Sequence, residues 1–175
     1  MIIIHTAPIP FTDIEYPMIF LAGGITGCRN WQDDVCLTFA AKAKLSNDHT
    51  NYAFLNPRRE NFPIDDPNAA YEQIKWEFDH LEKCDYFSMF FCKDRIQPIC
   101  LYELGRNIER MKQRFPDDWM NRIIITAHKD YERLQDVLIQ TKLATDDKVK
   151  VNIVDDSNDI STHAIAIYKA VSKNN

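Results

Sequence analysis

In the stretch PICLYELGRNIERM, Glu103 falls within the first turn of a predicted helix. It stands beside an apolar face that Cys100, Leu101, Leu104, Ile108 and Met111 mark at the 3.6-residue period. The macrodipole at a helix start favours an ionised carboxylate, and one facing a cleft can be a nucleophile. The same position also suits an acid that merely caps. Glu77, in QIKWEFDHLEKCD, borders a helical face marked by Trp76, Leu81 and Cys84, where a solvated residue is equally at home. Two carboxylates near a sugar can perform retaining glycosyl transfer: one attacks the anomeric carbon, and another group handles protons. Arg58 and Arg59 offer guanidinium forks for a phosphate or a base carbonyl, or a surface pair balancing Glu60 and Asp65. Trp31 can stack on a nucleobase or close the core.

Glycine is scarce. The chain has four, where average usage gives about twelve. Gly23, Gly24 and Gly27 share the loop AGGITG, and Gly105 follows Glu103 by two residues. So sparing a use points to positions that need positive φ or close approach of a ligand, though an ordinary strand–helix turn and helix packing would also explain it. GGITG is not GxGxxG and NPRR is not a P-loop, so dinucleotide and triphosphate motifs are absent.

These residues must be held by an alternation of strands and helices. PMIFLAG (17–23), YAFLN (52–56), DYFSMFF (85–91), NRIIITA (121–127) and KVKVNIV (148–154) read as strands, and MIIIHTAPIP as an edge strand. Helical patterns run from about Asn30 to Leu45, over 68–84, through Glu103, through Leu134, Val137 and Leu138, and through Ile160, Ala164, Ile167 and Val171. Strands this apolar are buried on both faces, which predicts one doubly wound α/β domain over 1–175 with about five parallel strands. NFPIDDPN (61–68) reads as a loop within it. Open parallel sheets bind ligands beyond the carboxyl ends of their strands, where AGGITG, NPRRENF and CKDRIQPICLYELG emerge. Asp85 begins a strand at the opposite edge and reads as structural.

Composition excludes several classes. A net charge of −5 argues against a nucleic-acid polymer as partner, and no apolar run is long enough to span a membrane. The start MIIIHTAPIP is too short for a signal peptide and lacks its basic leading region. Five cysteines without CxxC spacing and five scattered histidines predict a reduced cytoplasmic setting and no metal.

Taken in order, IFLAGGITGCRNWQ, FLNPRRENF, QIKWEFDHLEKCD and PICLYELGR resemble the nucleoside 2-deoxyribosyltransferase-like family, especially its short phage and bacterial branch. The resemblance runs from about Ile19 to Arg106; beyond it only generic strand–helix units match. It implies a flavodoxin-like (Rossmann-like) fold, no cofactor, and cleavage of the N-glycosidic bond of 2′-deoxynucleosides through a covalent deoxyribosyl intermediate. Glu103 takes the nucleophile's place. Glu77 takes that of the acid that contacts the sugar and assists proton transfer. The candidate substrate contacts are Gly23, Gly24, Ile25, Trp31, Asn56, Arg58, Arg59 and Gln97. Phe20 stands where many relatives carry a tyrosine that orients the nucleophile, and Gln97 where they carry an aspartate that reads the base. The implied partners are a nucleoside or its monophosphate, a free nucleobase, and a second copy of the chain. Transfer of deoxyribose leads. Hydrolysis at the same site and a non-catalytic nucleotide-binding protein are the alternatives.

Overall fold

A strand that is apolar at odd and even positions alike has no face to give to water, so it must lie inside a sheet covered on both sides. The computed structural model, which describes residues 1–10, 14–63 and 65–173, has that architecture. Its strands are β1 (Ile2–Thr6), β2 (Met18–Gly23), β3 (Tyr52–Asn56), β4 (Tyr86–Phe91), β5 (Ile123–His128) and β6 (Val151–Val154). Its helices are α1 (Trp31–Leu45), α2 (Ala69–Lys83), α3 (Pro98–Arg114), α4 (Leu134–Ala144) and α5 (Asp159–Ser172). The six strands form one parallel sheet in the order β1-β3-β2-β4-β5-β6. There is one strand more than the expected five because the N-terminal segment adds to the edge, pairing Ile3 with Ala53 and Ile4 with Phe54. Its residues are only partly buried, as an edge allows. Ile64, in the loop NFPIDDPN, lies outside the described residues.

Alternation along the strands divides the core in two. Phe20, Ala22, Phe87, Met89 and Phe91 face Trp76 of α2 and Leu104, Ile108 and Met111 of α3. Ile19, Leu21, Phe54 and Phe90 face Trp31 and Phe39 of α1 and Ile167 of α5. Setting β1 aside, the strand order is the doubly wound flavodoxin-like one, with its reversal between β2 and β4. Their carboxyl ends therefore splay their following loops apart and open a crevice there. At the other edge the Asp85 carboxylate accepts the Met18 N–H at 2.9 Å, a structural link between the starts of β4 and β2. Among the described residues no helix is long and apolar enough to cross a membrane.

One polar group lies wholly inside the second core. His163 of α5 is hydrogen-bonded to Ser88 Oγ through Nε2 and to Thr126 Oγ1 through Nδ1, both at 2.8 Å, so α5 is pinned to the adjacent strands β4 and β5. Burial pushes this imidazole from the ordinary 6.5 down to about 3. Between those values the unfolded chain binds a proton that the folded chain refuses, so this contribution to stability is full above 6.5 and lost as pH falls toward 3. His163→Gln is therefore expected to flatten the pH dependence of unfolding free energy in that window, by a slope of up to about 1.4 kcal/mol per pH unit. Urea titrations at several pH values measure it, and parallel slopes for the two proteins would refute the assignment.

Candidate active site

The crevice is built from its floor. Gly23 ends β2 with φ +151°, and a Cβ there would stand 2.5 Å from the Phe90 carbonyl oxygen and 2.6 Å from the Trp31 ring. Only glycine passes this point, because neither backbone nor a packed indole can yield. Trp31 donates its indole N–H to the Gly24 carbonyl at 3.0 Å. Gly24 in turn donates its N–H to Gln97 Oε1 at 2.9 Å. The other end of the Gln97 amide donates to the carbonyls of Cys92 and Arg95, each at 3.0 Å. Gln97 thus ties the loop after β2 to the loop after β4. Its backbone is left-handed, with φ 56°, and Pro98 starts α3 directly behind it. Tyr131, in the loop after β5, donates its hydroxyl to the Ile96 carbonyl and holds the same segment from the other side.

Arg58 closes the arrangement from β3. Its Nε–H donates to Gln32 Oε1 at 2.9 Å, and its Nη2 to the Arg29 carbonyl at 2.8 Å, with the carbonyls of Ile25 and Cys28 at 3.3 Å. Asn56 accepts the Arg58 N–H at 3.0 Å. Four loop carbonyls and one side chain so occupy the guanidinium that it fixes the glycine loop's shape.

The resulting cavity, of about 690 Å³, is lined by the glycine loop 23–27, by Glu77 of α2, by residues 93–100 and Glu103 of α3 and its approach, and by Glu132. Six sequence-predicted residues meet in it: Glu103, Glu77, Gly23, Gly24, Ile25 and Gln97. Trp31, Asn56, Arg58 and Arg59 do not line it. Trp31 is fully buried beneath Gly23, its ring packed against Phe90, and so presents no face for stacking. Arg59 lies over the Phe62 ring, outside the cavity. Phe20 is buried against Trp76, their ring centroids 6.2 Å apart. Gly105 departs from the glycine reading, since a Cβ there would meet nothing within 4 Å.

Glu103 sits in the second turn of α3 rather than the first, because the helix already begins at Pro98. The dipole advantage fades by that depth, and other forces win. Burial and the negative charge of Glu77 push Glu103 up to about 7, against the pull of Arg106. Burial likewise raises Glu77, opposed by the amide of Gln73, which donates to Glu77 Oε1 at 2.7 Å and to the Pro57 carbonyl at 2.7 Å. The pair is half-buried and mutually repelling. Near neutral pH it tends to keep one proton between two carboxyls, an arrangement that supplies an acid and an ionised group together.

Four charged cavity residues escaped the sequence reading: Lys93, Asp94, Arg95 and Glu132. All lie on loops leaving the carboxyl ends of β4 and β5, so the rule that located the site also contained them. What the sequence lacked was any patterning to single them out. A Cβ on Gly27, at φ +71°, would stand 2.7 Å from Arg95 Nε, so the arginine lies across the glycine loop. Among the described residues one group, Cys28, Cys92 and Asp94, has the makings of a metal site.

Residues 16–115, more than half of the chain, match a family model described as nucleoside 2-deoxyribosyltransferase like. No curated protein matches the chain.

Two of the glycines make opposite predictions. Gly23→Ala is expected to destabilise the fold by about 2–4 kcal/mol, since it combines a positive φ with a clash against backbone. Gly105→Ala, inside α3 with open space for its methyl group, should stabilise by about 0.5–1 kcal/mol. Thermal unfolding of both variants checks the pair, and a tolerated Gly23→Ala would refute the account of the floor.

Proposed function

The chain belongs to the nucleoside 2-deoxyribosyltransferase-like family, and on that premise we propose that it is a pentosyltransferase that moves 2-deoxyribose from one nucleobase to another through Glu103. The observation that carries this reading is the convergence of Glu103 and Glu77, from two helices, on one cavity floored by the glycine loop. The two carboxyls divide the work. Ionised Glu103 attacks C1′ as the N-glycosidic bond breaks, and the bonding electrons leave with the base nitrogen, which takes a proton from Glu77. In the second half the incoming base gives its proton to Glu77 and attacks C1′, and the Glu103 carboxylate is released. Protons and charge balance without a cofactor.

Gln97 acts in this scheme by shaping the floor, since its amide is already engaged at both ends. A 5′-phosphate would find its cations in Lys93 and Arg95 rather than in Arg58, which is committed to the loop carbonyls. Lys93 already pairs with Asp156 at 2.5 Å, which leaves Arg95 as the better candidate. Hydrolysis of the same bond has its own support: Lys93, Asp94, Arg95, Ile96, Pro98 and Ile99 are all exposed along one side of the cavity, where water can enter.

Each 2′-deoxynucleoside and its 5′-monophosphate should be incubated with the protein, with and without an acceptor base, and the products separated. A new deoxynucleoside formed only with acceptor is the expected result. Free base released without acceptor would mark the hydrolase, and binding without turnover would remove Glu103's catalytic role. Glu103→Ala should lose roughly a thousandfold or more, and Glu77→Gln roughly a hundredfold. The reacting form carries its one proton on Glu77 and its charge on Glu103, so the rate should fall above about pH 7 as the pair loses that proton. Glu77→Gln should remove that falling limb, since only one carboxyl of the pair then remains to titrate.

A further inference from the structure

Five free cysteines are distributed over the fold, and two of them meet beside Gly24, where a Cβ would stand 2.6 Å from Cys28 Sγ. Cys28 comes from the glycine loop's descent into α1, and Cys92 follows the last residue of β4. Their sulfurs and a carboxylate oxygen of Asp94 all lie within 4.8 Å of one another. We propose that Cys28, Cys92 and Asp94 form a three-ligand site for a thiophilic divalent cation, zinc by preference, that clamps the loop after β2 to the loop after β4.

The distances suit it. Zinc–sulfur bonds of about 2.3 Å and zinc–oxygen bonds of about 2.0 Å in a tetrahedron place ligand atoms roughly 3.5–3.8 Å apart. The observed triad reaches that geometry by closing about 1 Å, on two loops and a half-buried side chain. Two sulfurs and one oxygen select zinc over magnesium or calcium, which require oxygen sets. Three protein ligands leave a fourth position for water.

The surroundings favour bound thiolates. Cys92 Sγ accepts an N–H from Gln97 Nε2 at 3.0 Å, and the Asp94 backbone N–H also points to it. Such N–H···S bonds orient a ligating sulfur and relieve its charge. The Arg58 guanidinium interacts with both sulfurs electrostatically. Zinc takes sulfur ligands as thiolates, so its binding here should strengthen as pH rises. Asp94 is exposed and Cys28 only partly buried, which gives the ion a path in. An ordinary buried cysteine pair would need none of these donors.

Metal binding can be read without turnover, so its outcome is separate from that of the glycosyl-transfer reading. The reduced, metal-free full chain would be titrated with cobalt(II) as a spectroscopic stand-in. Expected is a thiolate-to-cobalt charge-transfer band that saturates at one equivalent, strengthens with pH and is displaced by zinc. Cys28→Ser and Cys92→Ser should abolish it, and Asp94→Asn should weaken binding at least tenfold. Cys84→Ala, at the opposite edge of the sheet, should keep the band and so controls for folding. A wild-type chain with no such band overturns the proposal, as does a band that survives Cys28→Ser.

Discussion

The Gln97 amide accepts the Gly24 N–H and donates to the Cys92 carbonyl, and in doing so spans the place where the sheet reverses its strand order. Reversal alone makes a gap: the loops after β2 and β4 leave in different directions and share no backbone ladder. A side chain must bridge them, and an amide is suited because it accepts and donates at once. Its left-handed backbone turns the side chain inward while Pro98 launches α3. Helix α3 then carries Glu103 to the cavity. Lose the bridge, and the floor and the carboxylate are no longer in register with each other.

The second constraint is electrostatic. A carboxylate in the second turn of a helix receives little from the macrodipole, about 0.3–1 kcal/mol even at the first turn. Each unit of raised pKa corresponds to about 1.4 kcal/mol, so burial beside a like charge decides the matter. Glu77 and Glu103 are therefore defined as a pair. Gln73 steadies one of them by a hydrogen bond, while Arg106 attracts the other. The repulsion between them is the property that separates an acid from an ionised partner within one cleft.

Much of this was legible in the residues. Runs such as PMIFLAG and DYFSMFF could only be central strands, and the scarcity of glycine pointed at the loop that became the floor. Glu103 stood out because it lay beside an apolar stripe. Side-chain direction was not legible. Arg58 and Trp31 sit in the right motifs but turn beneath the loop, where one binds carbonyls and the other fills space under Gly23. No local pattern distinguishes a guanidinium that faces a ligand from one that faces its own backbone. Gly105 shows the converse, since rarity alone suggested a constraint where the helix has open space. Cys28 and Cys92 were hidden by sequence distance, because spacing rules detect only ligands that are near neighbours along the chain.

The links that shape the floor are long ones. Gly24 to Gln97 spans 73 residues, and Arg58 reaches back 34 to the Gly24 carbonyl. Contacts of such separation close late in folding, after local helices and adjacent strand pairs have formed, because the loop entropy must be met first. A chain arrested with α3 complete and β3 undocked would already possess both carboxylates but not the floor of the cavity that they line. The formed cavity is thus a property of the last docking events, and its appearance during refolding would trail the recovery of helical signal.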